Sequence, residues 1–326
     1  MLRREFIGLL GAGAVTWPLP ARAQQPGRFP KIGMLWHAGS AEEEGNYFVS
    51  LMAGFADLGY LPGKTALFEH RYAGEQYDRF SDQTRELVAA NTDVIMASIL
   101  PAARAASQVT KSIPIVFVIV SDPVASGLAN SLARPGRNLT GMSNVTDDLT
   151  AKRVQIFKQA VPGLKRMGLI FNPDAQSQVR EEYRLTAERL GIETTVLEVR
   201  NPADTEAALA SAAAQRFDGI ATAPDSMLYN AREQLGAWAL RHRVPMMAAN
   251  LDSVQAGALL AYGPNHADIF RRSAAVVAKI LRGEKPGDIP IQQPVKFNLR
   301  INLKTAKALE LDLSPAFQAL ADEVVE

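Results

Sequence analysis

Short apolar runs alternate with segments of helical period along almost the whole chain, and the alternation starts afresh after residue 144. Residues 31–36 (KIGMLW), 66–72, 93–98 (DVIMAS) and 114–120 read as strands. The last is nearly all β-branched or aromatic, as a strand buried on both faces requires. Between them, Phe48, Leu51, Met52, Phe55 and Leu58 share one helical face, and Tyr77, Phe80, Thr84, Leu87 and Val88 share another. A third helix is predicted over 102–110. This spacing builds parallel βαβ units. Beyond 144 the same order returns: helix 149–161, strand 166–172, a helix carried by Val179, Tyr183, Ala187 and Leu190, then strands 194–199, 219–223, 244–249 and 258–262. Helices 204–216 and 229–241 lie between these strands. The expectation is an α/β chain of two similar lobes with no repeat at the residue level.

The stretch VIVSDPVASGLANSLARPGRNLTGMSN, residues 118–144, joins the halves. Its strand ends at Ser121-Asp122-Pro123, where a helix is expected to begin and run to about Ala133. Arg134-Pro135-Gly136 breaks it, and an extended piece then leaves toward the second half. Residues 267–281 form a strongly periodic helix, 290–302 are extended and 303–309 are helical. That tail is too short for a third domain and should return to the lobes already built. Three crossings, near 140–146, 260–266 and 290–298, then form a hinge that permits closure. The implied division is 24–143 plus 264–292 for one lobe and 144–263 plus 293–326 for the other.

At 326 residues, 47% apolar and 21% charged, the chain is of globular composition and long enough for two domains. Residues 1–23 read as an export signal: a basic start, an apolar run from Phe6 to Leu19, and Ala21-Arg22-Ala23 as a cleavage site. Arg3-Arg4-Glu5-Phe6-Ile7 resembles the twin-arginine export motif; a general secretion signal carrying two arginines is the other reading. Either places the mature chain outside the cytoplasm, in the periplasm. The whole chain carries a formal charge of +1, and nothing in its balance would draw a nucleic acid. The absence of cysteine excludes disulfides and thiol catalysis.

Enzyme motifs are absent or poor. Gly59-Tyr60-Leu61-Pro62-Gly63-Lys64-Thr65 resembles a phosphate-binding loop, but one residue is missing between its glycines and it follows a helix. There is no G-x-S-x-G elbow, and His37, His70, His242 and His266 lack metal-ligand spacing. The informative residues are those at the C-terminal ends of the strands, beyond which open parallel sheets bind ligands. They are Trp36, His37, Ser40, Ser98, Ser121, Asp122, Asn172, Asp225, Asn250 and Tyr262. Helix N-termini beside Ser40, Ser98 and Ser121 would receive a carboxylate, and Asp122 and Asp225 an ammonium group. Trp36, His37 and Tyr262 would pack on a side chain. Each has a plainer reading: helix caps for Asp122 and Asp225, a loop hydroxyl for Ser98, core for Trp36, hinge packing for Tyr262.

Three segments resemble one family: VSDPVASGLANSLARPGRNLTGMSN, ALLAYGPNHADIFRRSAAVVAKILRGEKPGDIPIQQP and FNLRINLKTAKALEL. It is the bacterial ABC-transporter substrate-binding proteins whose better-known members bind tryptophan or tyrosine. The resemblance implies a type I periplasmic-binding-protein fold of two Rossmann-like lobes with three crossover strands and the ligand in the cleft, no catalysis, no cofactor, and delivery of a small-molecule solute to a membrane permease. It supports Ser98, Ser121 and Asp122 as contacts from the first lobe, and Asp225, Asn250 and Tyr262 from the second lobe or hinge. An amino acid, aromatic by analogy, is the expected ligand, and a monomer the expected state. A ligand-sensing module for a membrane receptor and an exported hydrolase are the alternatives.

Overall fold

The structure is a computed structural model that describes residues 28–144, 149–173, 177–294 and 296–326. In chain order the first part holds β1 (Lys31–Trp36), α1 (Ala41–Glu44), α2 (Asn46–Asp57), β2 (Leu67–Tyr72), α3 (Phe80–Ala89), β3 (Val94–Ala97), α4 (Leu100–Val109), β4 (Ile115–Val120) and β5 (Leu139–Ser143). Next come α5 (Leu149–Ala160), β6 (Arg166–Phe171), α6 (Ser177–Arg189), β7 (Glu193–Glu198), α7 (Asp204–Gln215), β8 (Gly219–Thr222), α8 (Ser226–Asn230), α9 (Arg232–His242), β9 (Met246–Ala248) and β10 (Leu260–Pro264). The last part is α10 (His266–Leu281), β11 (Phe297–Asn302), α11 (Leu303–Ala308), α12 (Pro315–Gln318) and β12 (Glu323–Val325). Among the described residues no helix is long and apolar enough to cross a membrane.

Two sheets result. One has the order β2-β1-β3-β4-β5 and is wholly parallel. The other runs β12-β11-β10-β9-β8-β6-β7, and its β7-β6-β8-β9-β10 part is parallel in that same doubly wound order. Only β11 enters antiparallel, against β10. Side chains alternate across β1: Ile32, Met34 and Trp36 enter the core beneath α2 and α10, whereas Leu35 joins the core under α3 and α4. The second sheet is likewise covered on both faces.

The last strand of each parallel set feeds a helix of the other body. After β5 the chain enters α5, whose Val154 and Phe157 pack in the second core. After β10 it enters α10, whose Ile269, Phe270 and Val277 pack in the first. A third passage runs beside β5, where Ser143 N donates to Gln292 O (2.8 Å) and Gln292 N to Gly141 O (3.0 Å), before continuing to β11. The chain thus passes three times from one sheet to the other.

One expectation fails. No helix forms over 121–133. The segment makes a single turn, with Ser126 N on Asp122 O and Gly127 N on Val124 O, and Gly127 then turns left-handed at φ 73°. The glycine reverses the chain before apolar periodicity can be used. Just upstream, Ile119 has φ 55° and the β4–β5 register shifts between Phe117 and Val120. A β-branched residue in that region is strained, and the kink re-aims the strand end.

The return of α10 onto α2 depends on Gly54. A Cβ there would stand 2.2 Å from the backbone oxygen of Arg271. Gly54→Ala is expected to cost about 1–3 kcal/mol through overpacking. Urea unfolding midpoints of the two proteins check it, and an unchanged midpoint would show that the helices part without penalty.

Candidate functional site

The C-terminal end of β1 delivers His37 into a buried ring of acids. Ser40 caps α1, its Oγ accepting from Glu43 N (3.3 Å), and this short helix turns Glu44 back under the strand end. There Glu44 Oε1 accepts from Ala38 N (3.0 Å), and Oε2 lies 3.4 Å from His37 Nε2. Glu75, in the turn after β2, places Oε1 2.8 Å from His37 Nδ1. His37 is 3% exposed and Glu44 fully buried. Burial pulls the imidazole down, but Glu44, Glu75 and Asp225 outweigh it and raise its pKa to about 9. Burial pushes the Glu44 carboxyl up against the pull of His37.

The second sheet presents its own strand ends opposite. Asp225 follows β8 and caps α8, Oδ1 accepting from Leu228 N (3.0 Å) and Oδ2 from Asn172 Nδ2 (3.1 Å). Four contacts then join the bodies. Tyr77 OH lies 2.9 Å from Ser226 Oγ, and Asn230 Nδ2 donates to Glu75 Oε1 (2.5 Å). Asn250 Nδ2 donates to Tyr47 OH (2.5 Å), and Tyr229 OH to Glu44 O (3.4 Å). The Tyr47 and Tyr229 rings stack at 4.4 Å with 13° between planes. Burial pushes the hydroxyls of Tyr47, Tyr77 and Tyr229 well above the usual phenol range, so they act as neutral hydrogen-bonding groups. The bodies therefore meet in a closed arrangement through polar, mostly buried groups.

At the crossing side, Arg153 of α5 is fully buried and its Nε donates to Tyr262 O (2.8 Å). Tyr47 OH also lies 3.3 Å from His266 Nδ1 at the start of α10.

Of the sequence-selected residues, the structure gathers His37, Asn172, Asp225 and Asn250 at the junction of the bodies. Tyr262 is at the crossing, engaged through its carbonyl. Trp36 is 1% exposed, stacks on Phe270 (5.7 Å) and donates Nε1–H to His70 Nδ1 (3.1 Å); it is core. Ser40 serves as a cap, as does the exposed Asp122, whose Oδ1 accepts from Val124 N (3.0 Å) and Ala125 N (2.8 Å). Ser121 stands at the end of β4 with its carbonyl near Ser143 Oγ (3.4 Å). Ser98 is buried at the end of β3, its hydroxyl without a partner.

Sequence reasoning missed Tyr47, Glu44, Glu75, Tyr229, Asn230 and Arg153. Tyr47 neighbours the apolar face of α2, and Tyr77, assigned to a helix face, instead reaches Ser226. The acid run Glu42-Glu43-Glu44 was the one available signal for a carboxylate turned inward.

A family model described as ABC transporter substrate binding protein matches residues 47–325. The tyrosine-binding protein of Clostridioides difficile (strain R20291) is 26% identical over 257 residues, 78% of this chain and 74% of that one. The crystal structure of a conserved domain protein from Vibrio cholerae superposes with a TM-score of 0.82 at 27% identity, over 91% of this chain and 100% of that one. An ABC domain from Streptococcus pneumoniae in complex with L-Trp gives 0.81 at 21% identity, with the same coverage.

Because the folded pKa of His37 lies above its unfolded value of 6.5, its contribution is complete below pH 6.5 and lost as pH rises through about 9. That shift corresponds to a ceiling of about 3 kcal/mol. Urea unfolding at pH 6 and pH 9.5 should show a fall for the native chain and a flatter profile for His37→Gln. Parallel profiles would mean that His37 does not titrate in the folded state.

Proposed function

From the premise that the chain belongs to the ABC transporter substrate-binding protein family, and so is a binding protein and not an enzyme, we propose that it is the extracytoplasmic subunit of an importer that closes its two bodies on an amino acid. The observation that carries this reading is the polar closure itself. Tyr47 stacked on Tyr229, Glu75 on Asn230 and Tyr77 on Ser226 hold together two separately packed α/β bodies joined by three passages. Each core is apolar and permanent, whereas the junction rests on hydrogen bonds worth roughly 1 kcal/mol apiece. Such a junction opens and closes around a solute.

An aromatic side chain is favoured. Relatives with the same fold are named for tyrosine or were solved with L-Trp. In this reading the site takes its residues from His37, Asn172, Asp225 and Asn250 of the sequence-selected set, with Ser98, Ser121 and Tyr262 near the crossings. The first lobe comprises 24–143 and 264–292, the second 144–263 and 293–326. Residues 1–23 act as the export signal; they lie outside the described residues. The closed form would dock as a monomer on a membrane permease.

A thermal-shift screen of the purified chain against amino acids, aromatic acids, sugars and polyamines tests the reading. A ligand at a hundredfold excess over Kd stabilises by about 2.7 kcal/mol, a rise of a few degrees. The expected result is a rise with L-tyrosine or L-tryptophan. A rise confined to sugars or polyamines would keep the binding role and discard the amino acid.

A further inference from the structure

The crossing side of the junction holds several buried polar groups whose hydrogen-bonding capacity is left over. Asn250 Oδ1 accepts from Asp252 N (3.3 Å), which fixes its amide nitrogen toward Tyr47. The Tyr47 oxygen accepts that N–H and lies 3.3 Å from His266 Nδ1, which is placed to receive the tyrosine's own hydrogen. A neutral imidazole that accepts at Nδ1 carries its proton on Nε2. That Nε2 is shielded from solvent and has no partner. Burial and the nearby charge of Arg153 keep the ring neutral, with its pKa lowered to about 4.

Arg153 is 0% exposed and donates Nε to Tyr262 O; neither Nη1 nor Nη2 makes a hydrogen bond of good geometry. Tyr183 lies against the guanidinium with its oxygen turned to Arg153, while its own hydrogen goes to Thr222 O (3.4 Å); burial keeps it neutral, so it offers no countercharge. Among the described residues no carboxylate pairs with Arg153. One turn earlier on α5, Thr150 is 1% exposed with its hydroxyl also unpartnered. A buried unpaired cation costs several kcal/mol, and planar Nη donors match the two oxygens of a carboxylate.

We propose that Arg153, with His266 Nε2–H and the Thr150 hydroxyl, receives the carboxylate of the bound solute at the crossing end of the cleft. The proposal rests on the reading of the cleft as the solute site. It moves the anion anchor from the helix N-termini beside Ser40, Ser98 and Ser121 to a side-chain guanidinium on α5. An amino acid and a plain carboxylic acid share this chemistry, and the test separates them.

Isothermal titration of the purified chain compares L-tyrosine and L-tryptophan with their amides, with tyramine and with 3-(4-hydroxyphenyl)propionate. The amides and tyramine should bind about a hundredfold more weakly than the acids. Arg153→Gln should weaken the acids by a similar factor and leave the amides within about threefold, and Arg153→Lys should recover part of the loss. Binding of 3-(4-hydroxyphenyl)propionate as tight as that of L-tyrosine would assign the ligand as a carboxylic acid and uphold the anchor. Equal affinity of acid and amide for the native chain overturns the proposal, and this comparison needs no variant. So does an equal loss of both in Arg153→Gln, which would mark a purely structural role through Tyr262. Should neither amino acid bind, the amino-acid reading fails by itself. The anchor is then judged by benzoate, 4-hydroxybenzoate, lactate and succinate. Binding of any of these that disappears in Arg153→Gln upholds it, and no carboxylate binding at millimolar concentration overturns it.

Discussion

Buried charge at the ends of two parallel sheets is the constraint on which this molecule depends. His37, Glu44 and Glu75 on one body and Asp225 on the other lie where doubly wound sheets expose their strand ends. Removing these groups from water is costly unless each finds a partner. The strand-end turns supply several: Ser40 positions α1, α1 positions Glu44, and Asp225 is held by Asn172 and the start of α8. The remaining partners come from the opposite body, as Asn230 does for Glu75. Closure is thus a way of satisfying polar groups that neither body satisfies alone.

On the proposed reading, the chain path would make that closure reversible. Because α10 follows a strand of the second sheet yet packs in the first core, both bodies are anchored through apolar contacts on the crossing side. Away from the crossings, the hydrogen bonds and the Tyr47–Tyr229 stack must break on opening. The apolar cores keep their packing while the junction exchanges protein partners for water, and the net cost per hydrogen bond is small.

The architecture was largely legible because it is written in local periods. Apolar strands and helical faces recur at βαβ spacing, and the doubled order of the sheets follows from the doubled pattern. The failed helix over 121–133 shows the limit: its apolar residues suit a helix, but Gly127 takes a left-handed turn and Asp122 caps that turn instead. Half of the candidate site was legible as strand ends. The other half sits on helices and turns whose role exists only across the junction. Tyr47 resembles a core residue of an amphipathic helix until Tyr229 of the second body stacks on it, and Arg153 resembles a solvent-facing charge although Tyr183 and Tyr262 of its own body cover it.

The two ends of the junction are electrically opposite. Near β1 His37 faces three carboxyl groups, Glu44, Glu75 and Asp225; at the crossing Arg153 has no carboxylate partner among the described residues. The paired tyrosines connect the ends, since Tyr229 donates toward Glu44 O while Tyr47 contacts Asn250 and His266. What bridges such a field most favourably is a molecule that carries its own charges in the opposite sense. Closure on that molecule would neutralise both ends at once, which gives the closed form a reason to wait for its solute.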